Sequence, residues 1–239
     1  MKKLDILFED DELIVINKAA PLLTIPDRFH DDKLNLYHLL KAKYGEIFIV
    51  HRLDKETSGV ICFAKTAEAH KNLTLQFEHR QVQKIYHAIV AGRVETGGQI
   101  ATPIAAHPHI AGKMTVHKKG KAALSLYEVL EQFKRYTLLA IDLKTGRTHQ
   151  IRVHCASINH PLAIDTLYSK KEVFFVSEIK QKTYRKSKME TERPLMTRLT
   201  LHAFRLQLQH PTSNETLQFE APYPKDFRAM LKQLQKWGK

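Results

Sequence analysis

The sequence predicts an α+β fold: one domain spanning residues 1–239, built on a curved, mixed and largely antiparallel sheet flanked by helices. Three observations predict it. Strand-length apolar runs outnumber helical patterns, and hairpin-like links join several of them. Neither an internal repeat nor a Pro/Gly/Ser-rich tract divides the chain, whose 239 residues and 43% hydrophobic content suit a single core.

The elements follow in order. "LIVIN" (13–17) reads as a buried strand that ends in the turn-like "KAAP". "NLYHLLKAKYG" (35–45) has leucines at 36, 39 and 40 and then a glycine stop, a short helix. "IFIV" (47–50) and "GVICFAK" (59–65) are strands, and "HRLDKETSG" (51–59) links them. Thr66 caps a helix whose apolar residues Ala69, Leu73 and Phe77 recur every four positions. Residues 82–92 form a strand, and 122–133 with 135–144 form a hairpin. From 149 the period becomes helical, with Thr148 as the expected cap, Asn159 in a left-handed stop and Pro161 ending the run. Residues 169–198 read as a polar, basic excursion, 200–209 and "LQFEAP" as a strand pair, and "KDFRAMLKQLQKW" as a closing helix with Phe227, Leu231 and Leu234 inward.

Composition narrows the function classes. No apolar stretch is long enough for a bilayer span, and the N-terminal residues do not form a secretory signal. Two cysteines, Cys62 and Cys155, sit among apolar neighbours, which argues against a disulfide framework and for a reducing cytoplasm. The 38 Lys+Arg exceed the 25 Asp+Glu, a formal charge of +13. "GKMTVHKKGK" (112–121) and "KQKTYRKSK" (180–188) contain no acid at all. Each alone is open to a reading as a solvated face of a basic protein; together they favour a polyanionic partner, RNA or DNA. If the second patch grips RNA, neutralising Lys180, Lys182, Arg185, Lys186 and Lys188 flattens the salt dependence of binding.

Chemistry-bearing motifs are few. The fourteen histidines lack metal-ligand spacing, so no metal site is expected, and no G-x-S-x-G, GxxxxGK[ST] or GxGxxG occurs. What remains is Asp54, surrounded by His51, Arg52 and Lys55, an arrangement that keeps a carboxylate ionised. Such a group can attack an electron-poor carbon. It can equally organise the turn by accepting the Thr57 and Ser58 amides. Arg147, in a glycine turn before a helix, is suited to fork onto a carboxylate or phosphate. Tyr86 shares an apolar strand face with Ala88 and Val90, as a core residue or as a stacking platform for a base.

In their order and separation, HRLD-x-x-TSG, K-x-Y-x-A and GRTHQIR-x-H resemble the RluA-type pseudouridine synthases, and the resemblance runs through most of the chain. It implies a pseudouridine-synthase-type catalytic domain without an S4 domain, a cytoplasmic monomer acting on ribosomal or transfer RNA, and no cofactor. It implies that Asp54 is the nucleophile, that Tyr86 stacks on the uracil and assists proton removal, and that Arg147 pairs with Asp54. Arg52 would fill the gap left by the flipped nucleotide, with His51, Ile151 and Lys84 as further substrate contacts. The chain departs from the family pattern with "NKAAP" for NKPxG, Asn159 for a glycine before His160-Pro161-Leu162, and Ile164 for a glycine before Asp165. Two rival readings stand beside this one: an RNA-binding protein on the same scaffold without turnover, and a glycosidic-bond hydrolase. The second would ordinarily need a pair of carboxylates.

Overall fold

The structure, a computed structural model, describes residues 4–27, 33–180 and 191–239. Lys182, Arg185, Lys186 and Lys188 of the basic excursion therefore lie outside the described residues. The chain divides into two compact units, each discontinuous in sequence. One comprises the residues up to Tyr86 with His202–Pro222, the other His87–Leu201 with Tyr223–Lys239.

The first unit is built around β4 (Ser58–Ala64), whose seven residues are all buried. β1 (Ile6–Glu9) pairs antiparallel with β2 (Leu13–Lys18), and β2 pairs antiparallel with one edge of β4. The other edge of β4 is shared. β11 (Leu201–Gln209) runs parallel to it at Ser58 and Gly59, and β3, only Phe48–Ile49, pairs antiparallel at Phe63 and Ala64. β12 (Thr216–Glu220) folds back on β11. The pairing is thus mixed and mostly antiparallel, as the sequence predicts.

Two helices cover this unit. In α1 (Leu36–Tyr44) the Asn35 side chain accepts the His38 N–H, and Gly45 closes the helix at φ 78°. In α2 (Ala67–Glu78) the Thr66 hydroxyl accepts the Ala69 N–H as expected. Ala69 and Leu73 are buried, but the third buried position is Gln76. Its amide donates to the Gln209 carbonyl and accepts the Gln209 N–H, so a polar residue caps the end of β11 from within the packed face. Phe77 lies half-buried instead, for a reason that belongs to the site.

The second unit takes in the C-terminal part of β5 (Gln83–Ala91), the bulged hairpin of β9 (Ser125–Gln132) and β10 (Tyr136–Leu143), and β6 (Gly98–Ile100) on β9. β7 (Ile104–Ala106) and β8 (Met114–Val116) form a separate small hairpin. α3 (Gln150–Ser157), α4 (Val176–Lys180) and α5 (Lys225–Trp237) complete it. Phe227, Met230, Leu231 and Leu234 of α5 pack with Phe133, Phe174, Ile179 and Met196. The stretch expected to be a polar excursion therefore contributes Phe174, Ile179 and Met196 to the core, apolar residues spaced too widely to show a period. Arg198 forks onto Asp226 with both bonds at 2.7 Å, fixing the first turn of α5.

One capping expectation is corrected. Thr148 does not cap α3; His149 occupies that position in the left-handed region, φ 55°, with no side-chain capping bond. Gln150, the first residue of the helix, turns its side chain back onto the preceding turn, as shown below. Asn159 is left-handed, φ 63°, as expected, whereas Ile164 is not among the positive-φ residues and is buried.

Candidate functional site

The link "HRLDKETSG" leaves β3 and enters β4, and its backbone is held at Leu53, Asp54, Lys55 and Thr57. Asp54 and Thr57 close a turn through the Thr57 N–H and the Asp54 main-chain carbonyl, 3.1 Å apart. The buried Thr24 hydroxyl donates to the Leu53 carbonyl (2.9 Å) and accepts the Leu53 N–H (3.2 Å). Lys18, 1% exposed, drives its ammonium under the loop and donates to the carbonyls of Leu22 (2.7 Å), Lys55 (3.2 Å) and Ala19 (3.3 Å). The Leu22 N–H also donates to the Lys55 carbonyl. A buried ammonium is tolerable only with such partners, so "NK" marks the floor of the loop.

His51 closes the edge of β4. Between β11 at Gly59 and β3 at Phe63, the Cys62 N–H has no strand partner, and the His51 Nε2 accepts it at 3.1 Å. The imidazole stacks on Phe77 with centroids 4.7 Å apart, and the Lys84 ammonium lies 5.5 Å from that same ring. That stack holds Phe77 at the margin of the helix face. Burial, reinforced by the Lys84 charge, pushes the His51 pKa down to about 3, so the ring stays neutral and its Nε2 remains an acceptor.

At the far end of the motif, Ser58 and His202 are fully buried. The Ser58 hydroxyl lies 2.9 Å from the His202 Nδ1, while the His202 Nε2 donates to the Ala221 carbonyl at 3.0 Å. Gly59 beside it has φ +117° and faces the Ala203 backbone.

This frame leaves Asp54 half-buried and Arg52 exposed on a fixed backbone. Tyr86, on β5, is 8% exposed. Burial first, and then the negative charge of Asp54, raise its pKa well above the usual phenol value, so the hydroxyl remains protonated. The carboxylate and the phenol therefore sense each other.

In the second unit, the segment "TGRTHQIRVH" sorts its polar residues by role. The Gln150 side chain accepts the Thr145 hydroxyl (2.7 Å) and the Arg147 N–H (3.1 Å), and donates to the Leu124 carbonyl and the Ser125 hydroxyl (both 3.0 Å). Ser125 also meets His154 Nδ1 at 2.9 Å, and the other His154 nitrogen meets the Thr102 carbonyl at 3.0 Å. Arg152 forks onto the fully buried Asp165 at 2.7 and 2.8 Å and lies 5.1 Å from the Tyr168 ring. Those residues build the turn. Arg147 itself is half-buried, its Nε donating to the Ala122 carbonyl at 3.0 Å, and Ile151, one turn on, is buried.

Sequence reasoning missed Lys18, Thr24, Gln150, Asp165 and His202, all of which position the motifs. A lysine closing an apolar strand was the one visible signal among them. No cluster of three or more metal-ligating side chains forms among the described residues.

The RNA pseudouridylate synthase family model matches residues 12–157, a span that contains Asp54, Tyr86 and Arg147. The chain belongs to that family, whose enzymes isomerise uridine within RNA. The chain is 41% identical over 234 residues to the ribosomal large subunit pseudouridine synthase D of Pseudomonas aeruginosa, covering 96% of this chain and 71% of that protein. Identity to the Nitrosomonas europaea protein of the same description is 42% over 236 residues, 95% of this chain but 64% of the other, so the chain spans under two thirds of that relative's length. Among solved structures, human RNA pseudouridylate synthase domain containing 4 superposes with a TM-score of 0.74 at 25% identity, over 97% of this chain and 93% of that one. Both the α+β class and the isomerase activity expected from the sequence are borne out.

Proposed function

We propose that this chain converts a uridine of large-subunit ribosomal RNA to pseudouridine, with Asp54 as nucleophile. The observation that carries the assignment is the pinned loop. Lys18 and Leu22 bond the Lys55 carbonyl and Thr24 bonds both backbone groups of Leu53, which fixes the backbone on both sides of a half-buried carboxylate whose charge reaches Tyr86. A carboxylate so placed has little positional freedom to lose on attack. The substrate assignment is supported by the descriptions of the relatives in Pseudomonas aeruginosa and Nitrosomonas europaea.

The uridine leaves its helix at a cost of a few kcal/mol. Arg52, exposed beside the nucleophile, enters the vacated position, and Tyr86 offers its ring to the base. Asp54 then bonds to the sugar or to the ring, the N-glycosidic bond breaks, and the base rotates and rejoins the same ribose through carbon. Covalent attachment removes the Asp54 charge, and with it one of the two causes that hold Tyr86 protonated. The phenol is thereby more acidic after attack than before it. The family resemblance assigns Arg147 the role of orienting the nucleophile and Ile151 a contact with the base, and Lys84 steadies the His51–Phe77 stack that backs the loop.

Tritium release from C5-labelled uridine in ribosomal RNA tests this. Asp54→Asn keeps the shape of the side chain and removes its nucleophilic charge. Release should drop by at least about four orders of magnitude, as for loss of a covalent catalyst, while RNA affinity changes less than threefold. Undiminished release from Asp54→Asn overturns the assignment, and free uracil as product would indicate hydrolysis instead.

A further inference from the structure

The helix α5 has two opposed faces. Phe227, Met230, Leu231 and Leu234 are buried in the core of the second unit. On the other side Lys225, Arg228 and Lys232 are exposed, and intervals of three and four residues set them in one line along the helix. At a rise of about 1.5 Å per residue the line is about 10 Å long. Among the described residues none of these three side chains has a hydrogen-bond or ion-pair partner. The only acid of the helix, Asp226, is occupied by the Arg198 fork. Lys236, next in the series, has its ammonium 5.1 Å from the Trp237 ring centroid and is left out of the line.

The arrangement works against the helix. Like charges three and four residues apart repel one another. Lys225 opens α5 and Arg228 stands one turn on, both toward the positive end of the macrodipole, where a cation is disfavoured. Pro224, at the N-cap, has no side-chain acceptor to offset them.

The chemistry of the line selects its partner. A helix lying on a membrane needs its apolar face free, and that of α5 is buried in the core. The centre of a protein interface is rich in aromatic residues and poor in lysine, whereas the exposed residues next to this line are Gln235 and Lys236. A nucleic-acid backbone is itself a line of single negative charges, roughly 3 Å apart along the axis of each strand, and is met by lysine and arginine.

We propose that this face of α5 is a contact for the RNA backbone, in which Lys225, Arg228 and Lys232 each meet a phosphate. The contact positions the RNA without reading its sequence. The inference rests on the reading above that the chain works on RNA. It adds a grip beyond residue 157, where the family match ends, and outside the Asp54, Tyr86 and Arg147 motifs.

Titration of the full chain onto a labelled transcript of large-subunit ribosomal RNA tests it. Replacing Lys225, Arg228 and Lys232 together by glutamine should weaken binding at least about tenfold at low salt. It should also lower the slope of log affinity against log salt by about 2. Lys41→Gln with Lys71→Gln and Lys170→Gln removes the same charge from exposed positions elsewhere, and should lower the slope by less than about 1. Because repulsion within the helix is relieved, the α5 variant should unfold at an equal or higher urea concentration. The proposal fails if the α5 variant binds RNA as the unmodified protein does, or if both triple variants flatten the slope equally, a general effect of net charge. It fails if polyglutamate binding weakens as much as RNA binding, which would make the face a site for an acidic protein. A lowered urea midpoint also overturns it, because the charges would then serve the helix itself. Failure of the catalytic reading would appear instead as absent tritium release by the unmodified protein, with these affinities unaltered.

Discussion

At Gly59 the backbone adopts φ +117°, and a Cβ built there would stand 2.1 Å from the Ala203 carbonyl oxygen. The parallel register that sets His202 opposite Ser58 and Ala203 opposite Gly59 leaves no room for any side chain. Gly59→Ala combines a strained backbone with an overpacked contact, each costing about 1–3 kcal/mol. Urea denaturation should show a loss of about 3 kcal/mol or more. An unchanged midpoint would mean that β4 and β11 do not meet at this register. The last three residues of "HRLDKETSG", Thr57-Ser58-Gly59, thus fasten the strand that begins where the Asp54 turn ends. The turn reading and the catalytic reading of this stretch describe different residues of it.

At the scale of elements, the loop depends on β4 having an incomplete edge. β3 contributes only two residues, so the Cys62 N–H is answered by the His51 imidazole rather than by a carbonyl. That bond requires neutral His51. Its folded pKa, about 3, lies below the usual 6.5, so below pH 6.5 the unfolded chain binds a proton that the folded chain does not. Stability is therefore fully present above 6.5 and is lost as pH falls toward 3, at up to about 1.4 kcal/mol per pH unit for this one group. His154, whose pKa burial also lowers, adds to the same trend. His51→Gln retains an acceptor without a titrating ring and should flatten the pH dependence of the denaturation midpoint between 4 and 6.5. An identical pH profile in the variant would assign the acid sensitivity elsewhere. The helix that carries Ile151 shows a different economy. α3 has no side-chain cap; its first residue, Gln150, reaches back to Thr145, Leu124 and Ser125 and ties the helix to the β9–β10 hairpin.

For the molecule as a whole, a charge of +13 makes affinity for RNA depend on salt. In the β7–β8 hairpin and the turn after it, Lys118, Lys119 and Lys121 are exposed, whereas Lys113 lies 5.4 Å from the Tyr168 ring. Replacing Lys118, Lys119 and Lys121 by glutamine should reduce the slope of log affinity against log salt by up to about 2, at roughly 0.7 per phosphate contact on single-stranded RNA. An unchanged slope would make this hairpin a solvated surface. Among the described residues no helix is long and apolar enough to cross a membrane.

The sequence by itself determined the long periodic elements, their order, and the positions of Asp54, Tyr86 and Arg147, because amphipathic period and short motifs are local properties of a chain. It did not reveal β1, β6, β7 or β8. Strands of three or four residues carry too little alternation to be read, and exist because a neighbour completes their ladders. Nor could it sort the motif residues by role. Only the tertiary structure decided that His51, Gln150, Arg152 and His154 hold the framework, and that Lys18 lies beneath the loop. Their partners are distant in sequence: Lys18 donates to a carbonyl 37 residues away, and Ser58 meets a histidine 144 residues away. A side chain's hydrogen-bonding role is set by which backbone groups the fold leaves unanswered beside it, and that is fixed only when distant segments meet.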